Sequence, residues 1–139
     1  MKTVLLTAFA LLTALGTFAQ QTPGVTLTVT VENVLNDQGN VLAALHQQHT
    51  FMKGAGLAGY SSQAQKGPLT ITFEDVAPGT YAISVLHDLN ANGRMDFDTS
   101  GMPQEPYGLS GETLQMGPPN FQASAFEVGT EDVSLSIRF

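Results

Sequence analysis

The sequence predicts an all-β protein, an antiparallel two-sheet sandwich of about seven strands with low helix content. Several segments alternate apolar and polar residues, and this period of two is typical of strands with one buried face. Gly, Pro, Asn and Asp residues separate these segments and supply turns. Sustained 3.6-residue periodicity with capping residues is absent from the sequence, so we expect little helix.

The first two predicted strands lie between residues 25 and 45. Residues 25–31 alternate Val or Leu with Thr, which predicts a half-buried strand. Residues 36–40 are turn formers, and residues 41–45 resume an extended apolar stretch, so we expect these two strands to form a hairpin. Residues 46–67 lack periodicity and carry several glycines. We expect their apolar side chains to pack against the core.

Alternating patterns return in the second half of the chain. Residues 69–73 and 81–85 alternate on either side of the Ala-Pro-Gly turn at 77–79, which predicts a second hairpin. We expect a further strand over residues 123–128. Residues 133–139 alternate again and predict a last strand.

Residues 1–19 have the pattern of a secretory signal peptide: Lys2 near the start, an apolar run over 4–18, and a small residue, Ala19. The run is short for a membrane span, and no basic stop-transfer cluster follows it. Neither Ala19 nor Gln20 is a Cys, so a lipid anchor is not expected. The sequence therefore predicts a single mature domain, 20–139, exported to the periplasm or outside the cell, with no transmembrane segment after processing.

Charge and cysteine content exclude several classes of function. Twelve Asp and Glu against five Lys and Arg give a net charge of −7, which disfavours nucleic acid as a partner. The chain has no Cys, which rules out disulfides, thiol nucleophiles and Cys-based metal sites. A metal would need oxygen ligands or the three histidines.

One segment has the spacing of a calcium loop. Relative to its first residue, oxygen side chains stand at positions 1, 3, 5 and 9, with a glycine at position 6 and a backbone carbonyl expected to face the ion from position 7. The proposed ligands are Asp88, Asn90, Asn92, the Arg94 carbonyl and Asp96, and either Asp98 or Glu105 is a possible additional ligand. The segment is not an EF-hand, because position 12 is Thr99 and no amphipathic helix flanks it. The alternative is an ordinary Asn-Gly turn without metal.

Other candidate residues are weaker. We expect His87 to be a packed, hydrogen-bonded histidine, because it shares its strand face with Tyr81, Ile83 and Val85. His46 and His49 have a zinc-like spacing, but a third clustered ligand is lacking in the sequence. The proline-rich stretch 102–121 is a candidate ligand-binding loop through Tyr107 and Phe121, with a structural cover for the sandwich as the alternative.

Three motifs carry a family resemblance. They are His-Asp-x-Asn-x-Asn-Gly-x-x-Asp at 87–96, Gly-x-Pro-x-Glu-x-Tyr-Gly at 101–108, and Gly-Pro-Pro-x-Phe at 117–121. Together with the Pro-Gly-x-Tyr turn at 78–81, they resemble the DUF2141 family of exported bacterial proteins of unknown function. The resemblance implies export and a small β-rich domain, and it implies no particular activity. The Pro-Gly-x-Tyr turn is also similar to transthyretin-like sandwiches, so a transthyretin-like or Ig-like architecture is expected.

Two function classes remain open at this point. The favoured one is a non-catalytic exported module that binds a partner protein or an envelope ligand, with calcium fixing the 102–121 loop as its recognition surface. The alternative is an acid-base glycan hydrolase that uses Glu105 with Asp96 or Asp98. A hydrolase requires both carboxyl groups to face one cleft. The sequence contains no serine-nucleophile elbow, phosphate-binding loop or dinucleotide motif.

Overall fold

The computed structural model describes residues 23–111 and 117–139. The predicted signal peptide, residues 1–19, lies outside the described residues. Over the described ranges the chain forms eight strands and one short helix. Their bounds are β1 Val25–Val34, β2 Asn40–His46, β3 Ala58–Gln63, β4 Gly67–Val76, β5 Gly79–Asp88, β6 Tyr107–Leu109, α1 Phe121–Ser124, β7 Phe126–Val128 and β8 Val133–Ile137.

The strands form two sheets, and the predicted all-β sandwich is confirmed. The smaller sheet has the order β4-β1-β8. The larger has the order β3-β2-β5-β6, and β7 pairs with the beginning of β5 at residues 79–81. The core fills the space between the sheets with alternate side chains from both. It includes Leu27, Val29, Val31 and Ile71 from one sheet, and Val41, Ala43, Ile83 and Val85 from the other.

Both predicted hairpins are wrong. β1 and β2 belong to different sheets, and so do β4 and β5. Each connection therefore crosses from one layer of the sandwich to the other. The period-two pattern tells which face of a strand is buried, but both sheets bury the same kind of face, so the pattern does not identify the hydrogen-bonded neighbour.

The pairing of β8 also departs from a purely antiparallel sandwich. β1 runs antiparallel to β4, where Val29 faces Ile71, and parallel to β8, where Val29 faces Leu135. β7 pairs with β5 in the larger sheet, so the chain crosses to the smaller sheet before β8 begins.

Three short elements differ from the sequence expectation. β3 lies within the non-periodic segment 46–67, and β6 lies within the proline-rich stretch. The strand expected over 123–128 is shorter, because α1 occupies residues 121–124. This helical turn begins where the Asn120 side chain accepts a hydrogen bond from the Ala123 N–H at 2.9 Å, an N-cap interaction that competes with extended structure.

The Pro-Gly-x-Tyr turn has a specific packing reason. Tyr81 is buried, and its hydroxyl donates to the Ala77 carbonyl at 2.9 Å, which ties the ring across the turn between β4 and β5. A Cβ at Gly79 would lie 3.3 Å from this ring, closer than most side-chain contacts. The turn therefore favours a residue without a side chain at this position.

Among the described residues, no helix has the length and apolar character needed to cross a membrane.

Candidate functional site

The predicted calcium loop leaves the larger sheet at the end of β5. Asp88 is the last residue of this strand and is fully buried. Its Oδ1 accepts the Asn92 N–H at 3.1 Å and its Oδ2 accepts the Gly93 N–H at 2.7 Å. Gly93 has a φ of 81°, in the left-handed region that favours glycine. The Asp88 carboxylate therefore holds the loop in its curled conformation.

The middle of the loop brings the other predicted ligands together. The amide nitrogens of Asn90 and Asn92 donate to the same oxygen, Asp96 Oδ2, at 2.6 and 2.8 Å. Their amide oxygens accept N–H groups two residues ahead, from Asn92 and Arg94, at 3.1 Å each. Each amide oxygen has a second lone pair. The hydrogen bonds therefore bring the side chains of Asn90, Asn92 and Asp96 together across the loop.

Glu105 closes the base of this loop, whereas Asp98 does not join it. The Glu105 carboxylate is 7% exposed and accepts the Leu89 N–H at 2.9 Å and the Asp96 N–H at 3.2 Å. Asp98 Oδ1 instead accepts from the Ser100 hydroxyl at 2.6 Å within a separate exposed turn. This hydrogen bond lowers the pKa of Asp98 below its usual value. Of the two possible additional ligands, only Glu105 lies at the loop.

The charges of the loop are unbalanced. In the described part of the chain the ion pairs are Arg94 with Asp96, at 3.7 Å between Nε and Oδ1, and Arg138 with Glu32, at 3.6 Å. Asp88 takes part in neither pair. Among the described residues its burial is compensated by the hydrogen bonds from the Asn92 and Gly93 N–H groups, whereas a carboxylate taken out of water is often also paired with a cation or a metal.

The oxygen atoms that the loop offers as ligands fit calcium, which binds carboxylate, amide and backbone oxygens in flexible arrangements. Among the described residues, no group of three or more His, Cys, Asp or Glu side chains is arranged to hold a metal ion. A calcium site here would therefore depend on the amide oxygens of Asn90 and Asn92 and on the Arg94 carbonyl, in addition to Asp88 and Asp96.

A groove of about 600 Å³ lies beside this loop on the outer face of the larger sheet. Its floor is formed by outward residues of β2 and β5, its two edges by β3 and β6, and its two rims by the segments 52–55 and 93–95. The floor and edge residues include Leu42, Ala44, Ser84, Leu86 and Tyr107. The second rim, residues 93–95, is part of the predicted calcium loop, so the loop and the groove are one structural unit.

A buried histidine lies at one end of the groove. A carbonyl oxygen accepts only, so His46 Nδ1–H donates to the Thr50 carbonyl at 2.9 Å, and His46 Nε2 then accepts from the Ser84 hydroxyl at 3.0 Å. Burial lowers the pKa of His46, and the hydrogen bond to Thr50 opposes this effect. Because both ring nitrogens are used, the zinc-like pairing with His49 has no basis in the structure.

The Ser84–His46 hydrogen bond anchors the segment that follows β2. Ser84 lies in the middle of β5, between β2 and β6, so the backbone groups around it belong to the sheet ladder. A serine nucleophile would need nearby N–H donors aimed at a developing oxyanion. This arrangement fits a structural role, in which His46 fixes the 47–57 segment at one end of the groove.

Of the two aromatic residues predicted for ligand binding, the structure places one at the groove. Tyr107 is in β6, opposite Leu86, and lines the groove. Phe121 is half-buried and packs edge-on against Phe51, at 5.7 Å between ring centroids. The stretch 102–121 is not a single loop, because β6 lies within it. Residues 112–116 of this stretch lie outside the described residues.

The expected packing of His87 is confirmed. The side chain is fully buried, and its Nε2 lies 2.9 Å from the Gln38 carbonyl, to which it donates. This bond ties β5 to the turn before β2. In the same turn, Gly39 lies against the backbone oxygen of Asp88, where a Cβ would collide with it. The turn therefore supports the strand end from which the predicted calcium loop begins.

The geometry gives no support to the hydrolase alternative. Both oxygens of Glu105 accept backbone N–H groups, and Asp98 is committed to its own turn. None of Glu105, Asp96 and Asp98 lines the groove. A glycosidase needs two carboxyl groups facing one cleft, and none of these three side chains faces the groove.

The groove residues are the ones that sequence reasoning missed. A signal for them exists, because Leu42 and Ala44 are apolar at alternate positions of the 41–45 stretch, and Leu86 adds an apolar residue beyond the alternation of residues 81–85. Continuous apolar strands are covered on both faces. In this protein the second face is covered in part by the two rims.

Comparison with known proteins identifies a family without a described activity. The model of the DUF2141 family, described as an uncharacterized protein conserved in bacteria, matches residues 29–136. This range includes every strand of the larger sheet and the whole predicted calcium loop. Neither the curated proteins nor the solved structures contain a significant match to the chain.

Proposed function

Because this chain belongs to the DUF2141 family of bacterial proteins, whose description assigns no chemistry, we propose a function from the site itself. The protein is an exported, non-catalytic binding module. Its groove receives a partner or envelope ligand, and a structural calcium ion in the 88–96 loop holds one rim of that groove. The observation that carries the proposal is that residues 93–95 belong to both the loop and the groove.

Calcium binding is supported by the conformation of the loop. Asp88, Asn90 and Asn92 already accept the N–H groups that a curled cation-binding loop needs. The buried Asp88 carboxylate lacks a cationic partner among the described residues. A divalent cation would supply the missing positive charge to Asp88 and Asp96. Among the described residues, the cation paired with Asp96 is the exposed Arg94 side chain, at 3.7 Å.

Calorimetric titration of the mature chain, residues 20–139, with Ca²⁺ and with Mg²⁺ tests this part of the proposal. We expect a single calcium site with a Kd of about 0.1 to 1 mM, as in extracellular calcium modules, and much weaker magnesium binding. Asp96→Asn should weaken calcium binding, while Asp98→Asn, in the neighbouring turn, should leave it unchanged. Equal calcium binding by both variants would contradict the assignment.

Export is supported by the leader pattern of residues 1–19. Fractionation of bacteria that express the full chain should recover a processed protein outside the cytoplasm, with an intact mass that begins at Gln20. Recovery of a protein that retains residues 1–19 in the cytoplasm would contradict the export proposal without affecting the calcium site.

A further inference from the structure

The groove combines an apolar floor with a cation on one rim. We propose that it binds a free single-chain carboxylate amphiphile of the fatty-acid type, with the carboxylate at Arg94 and the alkyl chain along the sheet. This inference rests on the proposed function, because it names the ligand class of the same groove.

The floor suits an extended alkyl chain. Leu42 and Ala44 of β2 and Leu86 of β5 point outward and are half-buried between the rims. From Leu42 to His46 the floor extends about 13 Å along the strand, at about 3.3 Å per residue. A methionine lies on each rim, Met52 and Met95. Methionine side chains adapt to apolar ligands of variable shape.

The two rims supply the positive charge that a carboxylate ligand of the groove would need. The chain has a net charge of −7, yet Arg94 lines the groove and Lys53 lies between the lining residues Met52 and Gly54 on the other rim. The Arg94 side chain is 78% exposed, and its Nε is 3.7 Å from Asp96 Oδ1. Such an exposed pair is weak. The guanidinium can therefore present its forked N–H groups to a carboxylate.

The shape of the site favours a free ligand over a lipid surface. The groove lies between two rims, so an occupant must enter it as a single chain rather than lie against a flat face. The net charge of −7 also opposes approach to an anionic bilayer.

Binding of dodecanoate below its micelle concentration, measured by calorimetry in the presence of a chelator, tests the proposal without calcium. We expect Arg94→Gln to weaken dodecanoate binding by about tenfold, from the loss of one charge-assisted contact. The control Arg138→Gln removes a cation that pairs with Glu32 and does not line the groove, so it should bind as the wild type does. Decanoate should bind about fourfold more weakly than dodecanoate, because its chain has two fewer half-buried methylenes.

Dodecyl maltoside carries a twelve-carbon chain on a neutral head group. It therefore shows whether binding requires the carboxylate or only the apolar groove. We expect it to bind more weakly than dodecanoate and to be insensitive to Arg94→Gln. Ala44→Phe should fill the floor of the groove and abolish binding of both probes. If this variant does not fold, Leu86→Ser takes its place, and it should weaken the binding of both probes.

Three calorimetric results would overturn the proposal: no dodecanoate binding, equal dodecanoate binding by the wild type and Arg94→Gln, or dodecanoate binding that is unchanged in Ala44→Phe. In a separate assay, sedimentation of the protein with phosphatidylglycerol vesicles in preference to binding free dodecanoate would also overturn it. If dodecyl maltoside alone binds and Ala44→Phe abolishes its binding, the fatty-acid assignment fails while the binding groove of the proposed function stands. If both probes fail to bind but calcium titrates as expected, the ligand class is wrong and the metal site is retained.

Discussion

Replacement of Asp88 by alanine removes the side chain on which the loop conformation depends. The Asp88 carboxylate is fully buried and accepts two backbone N–H groups, from Asn92 at 3.1 Å and Gly93 at 2.7 Å. A hydrogen bond to a charged group contributes about 1.5 kcal/mol at the lower end of its range. Without calcium we therefore expect Asp88→Ala to lower the free energy of unfolding by about 3 kcal/mol.

Calcium should enlarge this difference. At a tenfold excess over Kd, a ligand that binds only the folded state stabilises it by about 1.4 kcal/mol. The wild type should gain this amount, and Asp88→Ala should gain nothing. The deficit of the variant should then rise to about 4.4 kcal/mol.

Urea unfolding, followed by tyrosine fluorescence with chelator and with calcium, measures both quantities. Asp88→Asn is the matched variant, because it keeps one oxygen acceptor and should lose about half as much stability in chelator. Asp98→Ala removes an exposed carboxylate outside the loop and should respond to calcium as the wild type does. An Asp88→Ala free energy of unfolding within about 0.5 kcal/mol of the wild type in both conditions would show that the carboxylate does not hold the loop.

Three further predictions concern the surroundings of the site. Gly56→Ala should destabilise the fold by more than Gly54→Ala, as measured by thermal unfolding: both glycines have positive φ, but only a Cβ at Gly56 would collide with the β2 backbone. The free energy of unfolding should fall as pH drops below 6.5, since burial lowers the pKa of His46 and the folded state therefore disfavours its protonated form. A His46→Phe variant should show a smaller pH dependence. Ser100→Ala should raise the pKa of Asp98, measured by NMR titration of its carboxyl carbon, because the hydroxyl hydrogen bond that lowers it is lost.

The parts of the fold that sequence predicts are those set by local chemistry. Alternation in residues 25–31 and 69–73 identifies two strands and their buried faces, because a strand places successive side chains on opposite sides. It does not identify the partner strand. That choice depends on how the turns at 35–39 and 77–78 direct the chain between layers, which the pattern leaves open.

Short elements were harder to predict for a related reason. β3 has the sequence AGYSSQ, which has little apolar alternation, and its extended conformation comes from pairing with β2 along an exposed edge. β6 has three residues, and Gly108 is required there because a Cβ would lie 2.5 Å from Ile137 in the opposite sheet. Tertiary contacts, rather than local propensity, fix both strands.

The candidate site was predictable in part. The spacing of Asp88, Asn90, Asn92 and Asp96 identified side chains that the structure brings together, because alternate residues of a curled loop point inward. The groove was not predicted, since it joins residues of β2, β5 and β6 that are distant in sequence. The available signal was the presence of apolar residues, Leu42 and Leu86, at outward positions of β2 and β5.

The proposed function requires one loop both to bind calcium and to form one rim of the groove. An NMR titration of the ¹⁵N-labelled mature chain with Ca²⁺ tests it most directly. We expect saturable shifts at the amides of Asn92 and Gly93, which donate to Asp88, and smaller shifts at Met95 on the rim, with little change in the Thr-rich smaller sheet. Loop amides that stay unshifted up to about 10 mM Ca²⁺, a concentration tenfold above the highest expected Kd, would contradict calcium binding by this loop.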